Sequence, residues 1–311
     1  MNEYAEPSTL TSTVFDTSST FIEKEDITVI VPTLNEEKAI AYVIKSLKIE
    51  GYNNILVVDG HSSDDTINIV KNLNVKLVTQ NGLGKTGGVK TALEFVNTPY
   101  IAIIDGDFTY SPQDLNMLLE ICHNYNQVIG SRQDRSNIKL LNRFGNTIIN
   151  SMFNLIFGTN LTDVCSGLYV LKTQFAKKLV FNTEGFDVEV EIAAQAAESN
   201  SIREVPISYG KRIGVQKLNP IRDGYRIITR MVKLGLKYNP LITYSLLLGF
   251  SLLFFGITLV YLEYSSILNS RLFLLLASIS SMISLIGVQF IILSVVLSRL
   301  KSFTKSRKTH V

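Results

Sequence analysis

Two aspartates with one glycine between them, Asp105-Gly106-Asp107, end an almost wholly apolar run that begins at Tyr100. On an extended chain successive side chains point to opposite faces, so the two carboxylates share a face and Gly106 looks the other way. Such a pair at a strand end can share one hard divalent cation, with diphosphate oxygens completing its shell. The missing side chain at Gly106 lets a ligand approach the backbone. An isolated Asp-Gly-Asp is more often a surface turn. The apolar strand in front of this one, and the motifs around it, argue for a site.

Positioning that pair calls for a sheet, and the chain supplies its strands in order. Ile27–Val31 is a β-branched run that stops at Pro32, and Asn35-Glu36-Glu37 leads into a helical pattern with Ile40, Val43, Ile44 and Leu47 on one face. A second strand, Asn54–Asp59, ends in an aspartate, and Ser62-Ser63-Asp64-Asp65-Thr66 supplies capping residues for the next helix. Lys76–Thr79 is a short strand, Thr86–Val96 has helical character, and Pro112 begins another helix after the Asp-Gly-Asp strand. Gln127–Arg132 makes a fifth strand. Strands alternating with helices predict an α/β unit with a mainly parallel sheet. Ligands bind at the carboxyl ends of such strands, where Pro32, Asp59, Asp105, Asp107 and Arg132 fall.

Two nucleotide motifs fail. Gly84-Lys85-Thr86 resembles the end of a P-loop, but the glycine required five residues earlier is Thr79. The first strand leads into Pro32-Thr33-Leu34-Asn35-Glu36-Glu37, not a glycine-rich dinucleotide turn. NTPase and dehydrogenase chemistry are set aside.

The 311 residues suffice for one large or two ordinary domains, and the apolar residues are unevenly spread. Leu241–Leu262 and Leu272–Ser298 carry no charged side chain, and each exceeds the roughly 20 residues that cross a bilayer core. The segment between them, Glu263 to Arg271, is too short to hold a domain, so the two predict a membrane hairpin. Lys233 and Lys237 precede the first span, and Arg299, Lys301, Lys305, Arg307 and Lys308 follow the second. The positive-inside rule places the large N-terminal region and the C-terminal tail in the cytoplasm. Net charge is only +3, and no nucleic-acid partner is expected. The two cysteines, Cys122 and Cys165, make no disulfide framework and fit a reducing compartment. No signal peptide is expected, and the Ser/Thr/Glu-rich residues 1–25 read as a mobile tail.

Taken together, Val31-Pro32-Thr33-Leu34-Asn35-Glu36-Glu37, Val58-Asp59-Gly60-His61-Ser62-Ser63-Asp64-Asp65-Thr66, Asp105-Gly106-Asp107 and Val128-Ile129-Gly130-Ser131-Arg132 resemble the successive motifs of family 2 glycosyltransferases of the GT-A fold. The later Tyr209–Leu218 stretch is similar to the Arg-x-Gly-x-Ser-Lys-Leu signature of dolichyl-phosphate mannosyltransferases and related polyprenyl-phosphate glycosyltransferases. The resemblance runs from about Ile27 to Pro240. Three departures concern the sugar more than the chemistry. Gln216 stands where the family has serine, Thr109 stands where mannosyltransferases often carry a metal-contacting glutamine, and Gly82–Gly88 only approximates the usual Gly-Lys-Gly loop.

The resemblance implies roles for individual residues. Pro32, Leu34 and Glu36 match positions lining the nucleotide, although Glu36 is also an ordinary first-turn helix acid. Asp59, ending a buried strand, implies a ribose or base contact. Lys85 would neutralise diphosphate or lie solvated. Asp105 and Asp107, with Gly106 between, would hold Mg2+ or Mn2+ against the donor diphosphate. The Arg132 fork suits a phosphate. Arg143 and Thr147, four apart on a helix, loosely match the pair for the acceptor phosphate, with a solvated arginine as the competing reading. Asp163-Val164-Cys165-Ser166-Gly167 resembles an acceptor-side segment, with Cys165 a packed residue. Glu191 matches the family acid, while Glu189 reads as a surface charge. Arg212 and Lys217 belong to a loop that could close over both substrates.

A polyprenyl monophosphate acceptor is already an anion, so it needs positioning and charge screening in place of a general base. The implied reaction is inverting transfer of a hexose to a polyprenyl or dolichyl phosphate. GDP-mannose is the first expected donor and UDP-glucose or another UDP-sugar the second. A transferase acting on a hydroxyl acceptor, and a non-catalytic nucleotide-sugar-binding membrane protein, are the alternatives. Downstream, Arg222, Arg226, Arg230, Lys233 and Lys237 fall on one helical arc, with Ile221, Tyr225, Ile227, Ile228, Met231, Val232 and Leu234 opposite. This predicts an interfacial helix whose apolar face enters the headgroup zone. The competing reading is a helix packed on the catalytic domain with a solvated basic face. The expected order is tail 1–25, catalytic domain 26–218, juxtamembrane helix 219–240, two membrane helices within 241–298 and basic tail 299–311. Gly249, Gly256, Ala277, Ser281 and Gly287 permit close helix packing and leave room for a homo-oligomer.

Overall fold

A computed structural model describes residues 22–182, 187–215, 217, 219–265 and 270–308. Most of the expected tail, together with Gln216 and Leu218, lies outside the described residues. The elements run β1 (Ile27–Thr33), α1 (Ile40–Ile49), β2 (Ile55–Asp59), α2 (Thr66–Asn72), β3 (Lys76–Thr79), α3 (Gly84–Glu94), β4 (Tyr100–Ile103) and α4 (Pro112–Leu119). They continue with β5 (Gln127–Arg132), α5 (Leu140–Phe157), β6 (Tyr169–Lys172), α6 (Thr173–Ala176), α7 (Val188–Glu198), β7 (Ile202–Ile207), α8 (Pro220–Tyr238), α9 (Pro240–Ser265) and α10 (Ser270–Lys308).

One sheet organises the region before the apolar helices, in the order β3-β2-β1-β4-β6-β5-β7. Every neighbour pairs in parallel except β6, which lies antiparallel between β4 and β5. Strands covered on both faces read as continuous apolar runs, and β2 and β5 are buried at every residue. Alternation then sorts the side chains. Val29, Val31 and Val57 face a core shared with α1 and α4, whereas Ile30, Leu56 and Val58 face one shared with α3, α5 and α7. Strand β7 is not legible in the sequence because its pattern is only half buried, with Arg203 and Pro206 exposed.

Helix α8 corrects an expectation. Its start is well specified: Pro220 opens it, the Asn219 side chain accepts from the amides of Ile221 and Arg222, and Asp223 accepts from the Asn219 amide in return. Ile227, Met231 and Leu234, expected to face lipid, are buried in the core beside α5 and α7. Arg230 leaves the basic arc and turns inward to an ion pair with fully buried Glu191. The outer face keeps Arg222, Arg226, Lys233 and Lys237, together with exposed Ile221 and Tyr225. The central part of the expected apolar face is thus taken by the core beside α5 and α7, while Ile221 and Tyr225 at its start stay strongly exposed.

Helices α9 and α10 form the hairpin, with apolar windows Pro240–Leu262 and Leu275–Thr304 long enough to cross a bilayer. Close approach is set by glycine. A Cβ on Gly249 would lie 2.9 Å from the carbonyl of Gly287, and one on Gly256 would lie 2.8 Å from that of Ser280. Phe250, Phe254, Phe255, Leu285, Ile292 and Val296 point outward. A continuous apolar belt of this kind is costly in water and neutral in lipid. Beyond the belt α10 continues as helix and docks on the sheet-containing region. Lys301 reaches Glu198 at 3.0 Å and also Asn239, and Gly158 ends α5 in the left-handed conformation against Ser298 and Ser302.

Candidate active site

The loops after β1 and β2 are knitted together by the polar residues of their motifs. The amides of Asn35, Glu36 and Glu37 donate to Ser62 Oγ, Thr66 Oγ1 and Asp64 Oδ2, while Asn35 Oδ1 accepts from the Ser63 amide at 2.7 Å. These side chains therefore hold the backbone, and the one carboxylate they present is that of Glu36. Beside them Gly106 approaches β1 closely: a Cβ there would lie 2.8 Å from Thr33 Cγ2. Phe108 is held at φ 63°, an unusual conformation for a bulky residue, and turns the chain so that Thr109 donates to Asp107 through both its amide and its hydroxyl.

Ten of the sequence-predicted residues converge on a cavity of about 750 Å³. Pro32, Leu34, Glu36, Lys85, Asp105, Gly106, Asp107, Arg132, Arg212 and Lys217 all line it. Charges alternate along its wall. Lys217 meets Glu36 at 2.5 Å, Arg212 joins Glu36 to Asp107 at 2.6 Å each, and Lys85 joins Asp105 at 2.6 Å to Glu189 at 2.5 Å. The loop that carries Arg212 is also pinned by backbone, with Gly210 N donating to Thr109 O and Ile213 N to Asp107 O.

Burial sets the electrostatics. It raises the Asp107 carboxyl, and the neighbouring Asp105 charge raises it further, against the pull of Thr109 and Arg212. Burial likewise raises Glu36 against Lys217 and Arg212, and raises Glu189 against Lys85. For Lys85 burial acts to lower the ammonium, but Asp105 and Glu189 override it and push it well above its ordinary value. Lys85 is therefore a buried charge in an ion pair, not a solvated one.

Four placements differ from the sequence reading. Glu189, read as a surface charge, is buried and lines the cavity; Glu191 does not line it and faces Arg230 and Asn182 on the other side of α7. The cause is helical phase: residues two apart point nearly opposite ways. The Arg132 fork is already occupied, with Nε and Nη2 both 2.6 Å from Asp163, and its guanidinium lies over the Tyr209 ring. Arg143 caps the Ser136 and Ile138 carbonyls, Thr147 donates to the Arg143 carbonyl, and neither lines the cavity. The face of α5 that does so carries Leu141, Asn142, Gly145, Asn146 and Ile149. Asp59, expected to contact ribose or base, is fully buried and does not line the cavity; its Oδ2 accepts from the Ser62 amide at 2.9 Å and its Oδ1 has no partner among the described residues.

Missed altogether by sequence reasoning is Glu204, which accepts from the amides of Thr162 and Asp163 at 2.7 Å each and so supports the Arg132–Asp163 pair. That pair yields a first prediction. Asp163→Asn strands a buried guanidinium and is expected to cost about 3 kcal/mol of stability, read as a lower midpoint in chemical denaturation; an unchanged midpoint would mean that the pair contributes nothing.

The family described as glycosyl transferase family 2 matches residues 28–180. Glycosyltransferase AglJ of Haloferax volcanii is 30% identical over 294 residues, covering 92% of this chain and 97% of that protein. A dolichyl-phosphate hexose transferase of the same organism is 27% identical, covering 68% of this chain and 95% of that protein. Among solved structures, glucosyl-3-phosphoglycerate synthase of Mycobacterium tuberculosis, with Mn2+, UDP-glucose and phosphoglyceric acid, superposes with a TM-score of 0.55 at 19% identity, covering 67% of this chain and 79% of that one. That likeness concerns the fold.

Proposed function

The chain belongs to glycosyltransferase family 2, and on that premise we propose that it transfers a hexose from a nucleoside diphosphate sugar to dolichyl phosphate at the cytoplasmic face of a membrane. The observation that carries this reading is a cavity that joins the aspartate pair to an apolar end. Pro32, Leu34, Gly60 and Gln80 line its nucleotide side, and Ile138, Leu141, Ile149 and Ile227 line the other. Just outside, Leu140, Phe144, Ile221 and Tyr225 are strongly exposed on the same two helices, α5 and α8. An acceptor with an anionic head and an isoprenoid tail matches that polarity. The basic residues before α9 and in the C-terminal part of α10 support the cytoplasmic orientation.

In this reading a lipid phosphate oxygen attacks the anomeric carbon, the bond from that carbon to the β-phosphate oxygen breaks, and the electron pair leaves with the nucleoside diphosphate. No proton has to move, so no base is required; inversion follows from a single displacement. Asp105 and Asp107 offer only oxygen donors and stand close enough for one charge to raise the other's pKa, which fits Mg2+ or Mn2+. When bound, the ion would offset charge on the departing diphosphate. Arg212 and Lys217 hold the loop over Glu36 and Asp107 and screen phosphate charge.

The base is proposed to be uracil. A relative named UDP-N-acetylglucosamine–dolichyl-phosphate N-acetylglucosaminyltransferase, from Methanococcus voltae and 27% identical over 67% of this chain, supports this base; Asp59, fully buried and outside the cavity lining, does not contact it. The sequence resemblance places GDP-mannose first. Incubating the detergent-solubilised protein with dolichyl phosphate and a panel of UDP- and GDP-sugars is the test. A lipid product formed from a UDP-hexose, and lost with EDTA, is expected; turnover with GDP-mannose alone would overturn the base assignment, and none with any donor would overturn the reaction.

A further inference from the structure

We infer that Glu189 is a specificity-determining residue that reads the hydroxyls of the donor hexose, with Lys85 as its fixed partner. The inference rests on the nucleotide-sugar reading above. Glu36 joins the aspartate pair through Arg212 and Asp107, whereas Glu189 joins it through Lys85 and Asp105. The pair thus stands between two carboxylates along the cavity wall. With the nucleoside on the Pro32, Leu34 and Glu36 side and the diphosphate at the aspartates, the sugar continues toward Lys85 and Glu189.

The chemistry there suits hydroxyls. Glu189 lies in the first turn of α7, 6% exposed, and still lines the cavity. A carboxylate accepts from hydroxyl groups, and an ammonium donates to them. Lys85 bridges Glu189 and Asp105, so both acids are held in place before a ligand arrives. Buried charge pairs stabilise a fold poorly compared with apolar packing, which leaves recognition as a use for this one. A site built to hydrogen-bond a hydroxyl also rejects an epimer whose hydroxyl leaves the buried group unmatched. Cys165, Asn142 and Asn146 line the same cavity and complete a mixed polar surround.

The test is titration of the full-length protein in detergent with MnCl2, using UDP, UDP-glucose, UDP-galactose, GDP and GDP-mannose as probes. Glu189→Gln is expected to keep the affinity for the free nucleoside diphosphate within about twofold, while weakening the preferred nucleotide hexose about 10- to 100-fold and erasing the preference between epimers. Glu189→Asp, which keeps the charge beside Lys85 but shortens the reach, is expected to give the same selective loss. Unchanged hexose affinity in both variants overturns the inference, as does equal loss of nucleotide and nucleotide hexose in both, which would make the pair a brace. If the wild-type protein binds none of the probes, the donor reading fails and this inference with it.

Discussion

Asp107→Asn is expected to lower turnover about 1000-fold, the scale for losing one fixed electrostatic group at a site of developing charge. The side chain has two duties. Its Oδ1 closes the turn by accepting from Thr109, and its Oδ2 holds Arg212 at 2.6 Å. An asparagine can keep the first contact, so the turn and the fold should survive. It cannot keep the second, because an amide NH2 faces a guanidinium, and it removes one of two anions available to a divalent ion. Initial rates, together with electron paramagnetic resonance of added Mn2+, separate the effects: the variant is expected to leave the ion free at concentrations where the wild type binds it in the presence of nucleotide. Wild-type rates in the variant would remove Asp107 from the site.

Gly167→Ala is expected to cost about 100-fold in turnover while leaving the melting midpoint near wild type. A Cβ at this position would lie 2.5 Å from Asp105 Cγ and closer still to its carboxylate. The obstacle is the end of a side chain, so the carboxylate can swing aside and the fold need not yield. The movement breaks the contact with Lys85 and misplaces one of the two aspartates. The Gly167 amide, which donates to Tyr110 at 2.7 Å, is unaffected by the substitution. A large drop in stability with undisturbed rates would contradict this account.

Much of the site is legible in the sequence because its residues lie at the ends of parallel strands. Strands buried on both faces advertise themselves as unbroken apolar runs, so the residue pattern alone puts Pro32, Asp59, Asp105, Asp107 and Arg132 at their carboxyl ends. Partners are not legible. That Arg132 spends its fork on Asp163, or that Lys85 is clasped by Asp105 and Glu189, depends on segments distant in sequence. Helical phase is the other gap: Glu189 and Glu191 differ by two positions, and only the docking of α7 decides which one enters the cavity. The same holds for α8, whose two-sided pattern suits a membrane surface and a protein core equally until α5 and α7 claim Ile227, Met231 and Leu234. The reversed direction of strand β6 is not readable either, since it is set by pairing with β4 and β5.

The central claim is that a lipid phosphate, with no base to assist it, displaces the nucleotide from the sugar in one step. The most direct measurement is the NMR spectrum of the purified lipid product made by the full-length protein from dolichyl phosphate and an α-linked UDP-hexose. The account predicts an anomeric proton coupled to phosphorus, establishing the carbon–oxygen–phosphorus linkage, with the β configuration that inversion requires. An α product, or a sugar joined through a hydroxyl without phosphorus coupling, would contradict it.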